Sequence, residues 1–552
     1  MLMDARDARH GHAARASSSS RVAGRPGAVP SHRHWRALAV ACALLAGLPG
    51  CMLGPTYRPP DASALKIPDA WHATLPHDGS VVELARWWRQ FDDPALSALI
   101  DAAQADSPTI DAALARLRQA RASRATSMAG LLPKLDGIAS FNRSNANTQA
   151  VTSNDVSQST SLQSGELDTM RAGLQASWEI DLFGKTRRRL QADAARIDAR
   201  VDDWHDARVS VASDVADAYF RTRACESLVD AQADEQRSRI ASDEVTRRRV
   251  AAGFLSPSDA TLPKASIAEG EDVLARQRAE CEADRNELVA LTGVPRDALD
   301  ALLAAGYAKV PEPRGGTLDA LPARTLEQRP DVRALERTLA AASAEIGEAI
   351  ATRLPSVSLS GSIEIDRYQV SGQSLTLRPW LFGPTVNVPL FDGGSGAARV
   401  EGARGRYDEA LANYKRKVRQ AVMEVENALV RVEASVGRER AALVAQENYR
   451  RYAQTIERRF GAGTSDVLEV ETARRQYVTS RQSVASARLE RAQAWVALYR
   501  AAGGGWRQAD TASDGGADGA DGADGADGAE KRPAVTDGPA TGDVRIASEA
   551  VR

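Results

Sequence analysis

Two segments of about 70 residues each, 184–253 and 395–463, contain no proline, and this limits the folds open to the chain. An α-helix rises about 1.5 Å per residue, so each segment predicts a rod of about 100 Å. Aliphatic residues in the second segment recur at intervals of four and three, the spacing of a coiled-coil seam. These residues are Val418, Val422, Val425, Leu429, Val432 and Val436. We therefore expect long helices packed lengthwise and not a thick globular core.

Each long segment ends at a glycine that is followed by residues typical of a helix start. Gly253 precedes Ser256 and Asp259, and Gly463 precedes Asp466 and Glu469. A glycine after a helix end, followed by a capping serine or aspartate, is the chemistry of a tight helical hairpin. Both segments are therefore predicted to turn back on themselves.

Two of the four cysteines, Cys225 and Cys281, lie 28 residues before and after Gly253. Antiparallel helices that turn at this glycine bring the two cysteines to the same height. A bridge requires Cα atoms about 4.4–6.8 Å apart. We predict a disulfide here, and the alternative is two buried thiols that face different neighbours.

Period-two alternation of apolar and polar residues marks a strand pair before each long segment. The clearest example is 357–365, where apolar residues alternate with serine and acidic residues. Its partner is 380–388, and the first pair lies at 135–143 and 172–180. This pattern predicts strands with one apolar and one polar face.

Polar loops are expected at 144–169 and 368–374, which leaves four strands in the chain. A soluble antiparallel sheet with one solvated face explains such strands. Strands of this kind are also the unit of an outer membrane barrel. A closed barrel needs about eight strands, and lipid does not tolerate open edges. Several copies must then share one barrel, and three copies supply twelve strands.

Corresponding motifs recur in the two halves of the chain. Proline pairs 25 residues apart begin at Pro108 and Pro330, an offset of 222, and the glycine turns repeat at an offset of 210. A period this long excludes a solenoid and indicates a tandem duplication of one large unit. We expect structural repeats at 96–315 and 316–503, each in the order helix, strand, strand, long helix, helix.

The N-terminus has the layout of an export signal. Basic residues precede fourteen uncharged, mostly apolar residues at 37–50, a run too short for a membrane span and suited to a signal peptide. The run ends in Leu-Pro-Gly-Cys at Cys51, which resembles a bacterial lipobox. We expect a signal peptide at 1–50 and acyl chains on Cys51, or else an ordinary signal peptide beside an incidental cysteine. An exported chain meets an oxidising compartment, which favours the disulfide.

The remaining segments complete the predicted organisation. Segment 51–95 is expected to be the lipid-anchored N-terminal part. The Gly/Ala/Asp-rich tail at 504–552 has too few apolar residues to bury and predicts disorder. No segment after the signal has 18 consecutive apolar residues, so strands are the means by which this chain would cross a membrane.

Charge and motifs exclude several function classes. A formal charge of −2 gives no reason to expect nucleic acid as a partner. The sequence has no glycine-rich phosphate loop, nucleophile elbow or His/Cys cluster, so we predict no enzyme, no cofactor and no metal site. His205 beside Trp204 is expected to be a packing residue. The arginine runs at 187–189 and 247–249 are interpreted as solvated helix faces.

Five motifs together resemble those of one family. They are Cys-Met-Leu-Gly-Pro-Thr-Tyr-Arg-Pro from Cys51, Trp-Trp-Arg-Gln-Phe-Asp-Asp-Pro from Trp87, Trp-Glu-Ile-Asp-Leu-Phe-Gly from Trp178, Pro-Leu-Phe-Asp-Gly-Gly from Pro389, and the paired glycine turns. Over 51–503 the chain resembles the outer membrane factor family of TolC-like proteins, and within it the OprM/NodT-type lipoproteins.

The resemblance implies a mixed α/β membrane protein. It implies a homotrimer with a twelve-stranded transmembrane β-barrel, four strands from each chain, continued by a long periplasmic α-helical barrel. It also implies a lipid-anchored outer membrane duct that passively exports small molecules. The implied partners are a periplasmic adaptor protein and an inner-membrane pump.

The resemblance assigns roles to both turns. Family members close the periplasmic end with an acidic ring, and Asp466 and Glu469 occupy that stretch here, although the family often has a second aspartate in place of the glutamate. Helix capping by the same two residues is the alternative. The resemblance also implies contact with the adaptor at Gly253, Ser256, Asp259, Gly463, Thr464 and Ser465.

Two other functions stay open at this stage. One is a duct for type I protein secretion, which the lipobox and the Leu-Phe-Asp-Gly-Gly element disfavour. The other is a periplasmic coiled-coil scaffold without a pore. Amphipathic strands that carry Trp178, Trp380 and Phe382 as candidate girdle residues argue against a scaffold.

Overall fold

The computed structural model describes residues 52–61, 65, 87–148, 163–313, 326, 329–370 and 373–504. All of these residues belong to one structural unit. The predicted signal peptide at 1–50, the predicted acylation site Cys51 and nearly all of the predicted tail at 504–552 lie outside the described residues.

The order helix, strands, long helix, helix occurs in both parts of the described chain. The first part contains α1 (Pro94–Asp106), α2 (Pro108–Ala129), β1 (Lys134–Thr148), β2 (Gln163–Ile180), α3 (Lys185–Ala251), a 3₁₀ turn (Pro257–Ala260), α4 (Thr261–Thr292) and α5 (Arg296–Ala304). The second contains α6 (Pro330–Ala351), β3 (Ser356–Val370), β4 (Gln373–Leu377), β5 (Trp380–Asn387), α7 (Ser395–Gly461) and α8 (Val467–Ala501).

Proline begins the helix that precedes each strand pair. Pro108 and Pro330 occupy the first turn of α2 and α6, where the missing N–H removes no intrahelical hydrogen bond. Both helices have 22 residues, and Pro133 and Pro355 follow within a few residues of their ends. One proline therefore marks the start of each helix, and a second proline separates the end of the helix from the strand that follows.

Helices α3 and α7 are the rods predicted from the proline-free segments, and each has 67 residues. Each follows a glycine with positive φ, Gly184 at 77° and Gly394 at 89°, a conformation that costs glycine little. Helix α3 packs against α2, α4, α6 and α8, and α7 packs against α6 and α8. The long helices therefore form the frame on which the shorter ones are placed.

The predicted seam of α7 is buried over most of its length. Fully buried members are Val418, Val425, Leu429 and Val432. Val436 is 40% exposed, so the seam ends one turn earlier than predicted. The reason is that the next buried contact is polar: the Glu439 carboxylate pairs with Arg488 at 3.2 Å and Arg491 at 2.7 Å on α8.

The strands form one antiparallel sheet in the order β1, β2, β3, and both β4 and β5 pair with β3. The register puts apolar residues opposite one another, with Leu174 facing Ile363 and Ile363 facing Trp380. The alternate positions pair polar residues, such as Gln175 with Ser362. From Val357 to Ile365 of β3 the predicted alternation therefore yields one apolar and one polar face.

The loops between paired strands are shorter than predicted. Strand β1 continues to Thr148 and β2 begins at Gln163, both inside the loop expected at 144–169. Strand β3 continues to Val370, and β4 was not expected. In the added parts of β1 and β3, polar residues on both faces remove the alternation that reveals a strand, yet their backbone groups still form the ladder.

Strands β4 and β5 share one position beside β3. Arg378 and Pro379 separate them, and proline has no N–H to give to a ladder. The Pro379 carbonyl still accepts a hydrogen bond from the Glu364 N–H at 3.0 Å. The described sheet therefore has five strands in four positions.

Helix α4 packs along α3, and a disulfide joins Cys225 on α3 to Cys281 on α4 with Cα atoms 5.5 Å apart. Between Gly270 and Leu288, Cys281 is the one buried residue of α4. The bridge therefore lies where the contact between the two helices contains the fewest buried side chains.

The largest apolar cluster collects aromatic residues from α3, α8 and the segment before α1. Trp87 stacks on Tyr499 with ring centroids 4.7 Å apart, and Phe91 contacts Phe220 at 4.9 Å. Such pairs contribute about 0.5–1.5 kcal/mol each beyond the burial of their area. This cluster fixes residues 87–91 to the helices.

Candidate functional site

Both helical hairpins turn through the same backbone motif. After α3, the Gly253 N–H donates to the Val250 carbonyl at 3.0 Å and the Phe254 N–H donates to the Arg249 carbonyl at 2.8 Å. Gly253 has a φ of 79°, which completes a Schellman motif. The predicted tight turn is present, and it depends on a residue that tolerates the left-handed conformation.

The turn after α7 repeats this geometry 210 residues later. The Gly463 N–H donates to the Phe460 carbonyl at 3.0 Å, and the Thr464 N–H donates to the Arg459 carbonyl at 2.9 Å. Gly463 has a φ of 81°. The Thr464 hydroxyl donates to the same Arg459 carbonyl at 3.1 Å, so threonine closes this turn more firmly.

The first turn starts its return helix with a capping box. The Ser256 N–H donates to the Asp259 carboxylate at 2.9 Å, and the Ser258 N–H approaches the Ser256 hydroxyl at 3.4 Å. Asp259 is therefore used as a cap, and its carboxylate is directed back along the chain.

The second turn uses its two acidic residues differently. Asp466 caps α8 by accepting from the Glu469 N–H at 2.7 Å. The Glu469 carboxylate does not return to the backbone: it accepts from the Ser465 hydroxyl at 2.5 Å and from Arg459 Nη1 at 3.3 Å. The capping alternative thus describes Asp466, whereas Glu469 lies at the turn with a cation beside it.

The two turns lie side by side and border one cleft of about 700 Å³. Arg249 joins them, because its guanidinium donates to the Phe460 carbonyl and its Cζ lies 4.5 Å from the centre of the Phe460 ring. Of the six residues predicted for adaptor contact, Asp259 borders the cleft from the first turn, and Gly463 and Ser465 border it from the second. Phe254, Ser258 and the predicted gate residue Asp466 border it as well.

Apolar side chains are exposed around this cleft. Phe254 is 80% exposed and Leu468 is 63% exposed, and Leu262 is also exposed. Exposed apolar side chains rimmed by polar groups are a feature of protein interaction sites. The turns therefore combine hydrogen-bonding groups with uncovered apolar area.

Both faces of the sheet carry ion pairs. On the polar face, Arg171 lies 3.0 Å from Asp366 and 3.2 Å from Glu364. On the opposite face, beyond the apolar residues, Arg143 forms a bidentate pair with Asp168, with nitrogen–oxygen distances of 2.6 and 2.8 Å. Trp178, a predicted girdle residue, donates from its indole to the Leu131 carbonyl at 2.8 Å where the sheet meets α2.

Two arginines predicted to be solvated are engaged in contacts. Arg188 is buried and donates to backbone carbonyls of residues 53 and 54, and Arg249 is the link between the turns. The sequence reveals neither contact, because the acceptors lie 135 and 211 residues away. Arg459 beside Glu469 was likewise not predicted, although a spacing of ten residues across a hairpin is a usable signal.

The other sequence-derived candidates lie apart from the turns. Trp204 and His205 contact each other with ring centroids 4.7 Å apart, and burial lowers the pKa of His205 to about 3. Within the described ranges, no group of three or more His, Cys, Asp or Glu residues is arranged to hold a metal ion. No helix in the same ranges combines the length and apolar content of a membrane span.

An amphipathic sheet joined to helical hairpins about 100 Å long, with the turns gathered at one end, defines the class of elongated outer membrane channel subunits. Comparison with known proteins agrees with this class. A family profile described as outer membrane efflux protein matches residues 99–294 and 321–504, and the chain belongs to that family.

Individual relatives are similar over most of their length. Nodulation protein T of Rhizobium leguminosarum bv. viciae is 28% identical over 84% of this chain and 93% of its own. The probable efflux pump outer membrane protein TtgC of Pseudomonas putida is 30% identical over 83% and 93%. The solved outer-membrane channel OprN has a TM-score of 0.70 and 29% identity, covering 82% of this chain and 99% of that one. The mixed α/β fold, the outer membrane location and the role in efflux follow from this membership.

Proposed function

We propose that this protein is the outer membrane duct of a tripartite efflux system, which exports small toxic compounds passively. In this proposal, three copies share one barrel, a periplasmic adaptor binds the helical turns, and an inner-membrane pump supplies the energy. Cys51 is the acylated first residue of the mature chain. TtgC, a relative, is named as a probable efflux pump component, and the Solvent efflux pump outer membrane protein SrpC of Pseudomonas putida is 28% identical over 83% of this chain.

The observation that carries the proposal is the sheet with two open edges. In the described part of the chain, β1 pairs with β2 alone, and β4 and β5 pair with β3 alone. Open edges with unpaired backbone groups are excluded from lipid. Neighbouring copies satisfy both edges, and four strand positions from each of three copies close a twelve-stranded barrel.

The apolar face has the length of a transmembrane strand. It runs from Val357 to Ile365 on β3, which is nine residues, and a tilted barrel strand needs about 9–11 residues to cross the hydrocarbon core. The next residue on that face is Arg367, a charged residue. An outer membrane barrel carries an apolar band about 25 Å tall. Ile363, Trp380 and Phe382 are exposed on this face, as contact with lipid requires.

Helix α7 supports association between copies. Met423, Val430 and Val444 are apolar and exposed, at spacings of seven and fourteen residues, so they lie on one side of the helix. A second copy covers such a stripe when helices close into a ring. The proposed α-helical barrel therefore uses surface that a single chain leaves open to water.

The closed end is assigned to the turn after α7. Three copies bring three Asp466 and three Glu469 carboxylates near a common axis, where they attract cations and repel anions. Arg459 beside Glu469 moderates that charge. The cleft between the turns, with Phe254 and Leu468 exposed beside it, is the surface proposed for the adaptor.

A matched pair of variants tests the membrane face. Ile363→Arg puts a charge on the apolar face, whereas Ser362→Arg puts it on the polar face one residue away. A charge on the lipid face costs about 2–4 kcal/mol at the membrane midplane. We expect Ile363→Arg to abolish insertion into the outer membrane, and Ser362→Arg to insert and to change ion selectivity in planar bilayers.

The same experiment separates the competing functions. A scaffold without a pore gives no conductance in planar bilayers and tolerates Ile363→Arg, because Ile363 is then a solvated side chain. A protein-secretion duct conducts, but its deletion leaves the accumulation of small toxic compounds unchanged in intact cells. Conductance together with increased accumulation in the deletion strain is the result expected for an efflux duct.

A further inference from the structure

Residues 52–61, the N-terminal strap, lie against the junction of α3 and α6. Arg188 on the first turn of α3 donates from Nε to the Leu53 carbonyl at 2.7 Å and from Nη2 to the Gly54 carbonyl at 3.1 Å. Its Nη1 donates to Gln191 Oε1 at 2.7 Å. Arg188 therefore binds the strap through the backbone carbonyls of the strap.

Arg188 is a buried cation whose described acceptors are neutral. Arg188 is 4% exposed, and burial lowers the pKa of its guanidinium below the ordinary arginine value. A buried guanidinium requires its hydrogen bonds to be satisfied. Two of the three acceptors come from the strap. The hydrogen bonds of the Arg188 guanidinium are therefore complete only when the strap is in place.

Two glycines let the strap backbone touch the backbone of α6. A Cβ built on Gly54, whose φ is 95°, would lie 2.4 Å from the Gly347 Cα. A Cβ built on Gly347 would lie 2.6 Å from the Leu53 carbonyl oxygen. Neither residue can carry a side chain without moving the strap away from the helix.

Contacts on both sides of Gly54 fix the direction of the strap. Met52 packs on Gly184, where a Cβ would lie 2.9 Å from the Met52 Cγ. Farther on, the Tyr57 hydroxyl donates to Glu336 Oε1 at 2.6 Å, eleven residues earlier on α6 than Gly347. The strap therefore runs along α6 away from the sheet, with its first residue at the junction of β2 and α3.

We infer that the strap is a clamp that holds the N-terminal membrane anchor at the junction of sheet and helices, with Arg188, Gly54 and Gly347 as positioning residues. This inference rests on the proposed acylation of Cys51, which directly precedes Met52. Gly54 follows Cys51 by three residue steps, which span at most about 11 Å. The acyl chains must then enter the bilayer beside Gly184 and not at the end of a long tether.

The clamp belongs to one part of the chain. Gly394, which precedes α7 as Gly184 precedes α3, has a positive φ as well, but no atom of the described residues lies within 4 Å of a Cβ built there. The strap covers the first of these two turns and leaves the second uncovered. One anchor for each copy is thus placed at a single, defined position.

A photo-cross-linking amino acid at position 52 tests the clamp in the full-length, membrane-extracted protein. We expect cross-links to the peptide that contains Gly184. Gly347→Ala should lower the yield about tenfold, because the new methyl group meets a carbonyl oxygen. Gly405→Ala is the matched control on α7, since a Cβ at Gly405 has no described neighbour within 4 Å. That variant should leave the yield unchanged.

Gly54→Ala guards against misfolding of α6, because it alters the strap itself and should cause the same loss. Equal cross-link yields in Gly347→Ala, Gly54→Ala and Gly405→Ala overturn the clamp. Loss of the cross-link in Cys51→Ser, with both glycine variants unaffected, also overturns it, since the anchor then positions the strap. Conductance measured on the same preparations reports separately on the proposed function.

Discussion

The Glu469 carboxylate accepts a hydrogen bond from Arg459 across the second helical turn, with 3.3 Å between Oε1 and Nη1. The pair joins the last turn of α7 to the first turn of α8. It means that the acidic residue assigned to the closed end carries a counter-charge from its own hairpin. In the proposed trimer, the gate would therefore be a ring of ion pairs around capping aspartates.

Removal of both acidic groups should loosen this end. We expect Asp466→Ala with Glu469→Ala to raise the closed-state conductance in planar bilayers, because the cap of α8 and the contacts to Ser465 and Arg459 are lost together. Loss of a helix cap alone costs about 1 kcal/mol. Ser256→Ala with Asp259→Ala removes the corresponding cap of the first turn and serves as the control. Equal conductance in both double variants and the wild type would refute the gate.

The bridge between Cys225 and Cys281 should be present in the protein isolated from cells. Non-reducing peptide mass spectrometry is expected to find the two cysteines in one cross-linked species. Replacement of both by serine should lower the stability by about 2–4 kcal/mol, because the bridge restricts the unfolded chain. Free thiols at both positions in the untreated protein would show that the two cysteines remain reduced.

Asp217 gives a pH dependence of defined sign. Burial raises its pKa to about 6, with Arg221 opposing the shift, and Oδ1 has no hydrogen-bond partner in the described part of the chain. The folded state then binds a proton more tightly than the unfolded state, whose aspartate titrates near 4. The free energy of unfolding therefore falls as the pH rises from about 4 to above 6.

Asp217→Asn should remove this fall in the free energy of unfolding as the pH rises. We expect a higher thermal unfolding midpoint at pH 7.5, with a gain on the order of 1 kcal/mol after solvent screening, and little change at pH 4. Asp198→Asn is the control, since Asp198 is exposed on the same helix. The same gain in stability at both pH values would show that the effect of Asp217 does not come from the ionisation of its carboxyl group.

Acylation of Cys51 is tested by the mass of the mature chain. Acyl groups add a mass that is lost when Cys51→Ser is expressed, and this variant should leave the outer membrane fraction more readily, because several acyl chains anchor stably. An unmodified cysteine at the mature N-terminus, or cleavage at another residue, would contradict acylation and favour an ordinary signal peptide.

The long-range regularities of this fold were predictable because they depend on local rules. Proline-free segments, glycine turns and period-two alternation predict α3, α7, both hairpins and the apolar face without any knowledge of tertiary contacts. The 28-residue spacing around Gly253 likewise places Cys225 opposite Cys281. Each of these signals is a pattern within one continuous segment of the sequence.

The remaining features depend on contacts between distant segments. Arg188 and Arg249 look like solvated arginines in the sequence, and their burial depends on carbonyl groups 135 and 211 residues away. Strand ends at Thr148 and Val370 were missed because polar residues on both faces hide a strand whose backbone is still paired. Pairing of Glu469 with Arg459 requires knowledge of how the turn closes.

Native mass spectrometry of the detergent-extracted protein tests the sharing of one barrel by several copies most directly. A sheet with four strand positions and two open edges cannot close alone, so the complex should have the mass of three mature chains. A monomer, stable in detergent and with its strands intact by circular dichroism, would contradict the shared barrel.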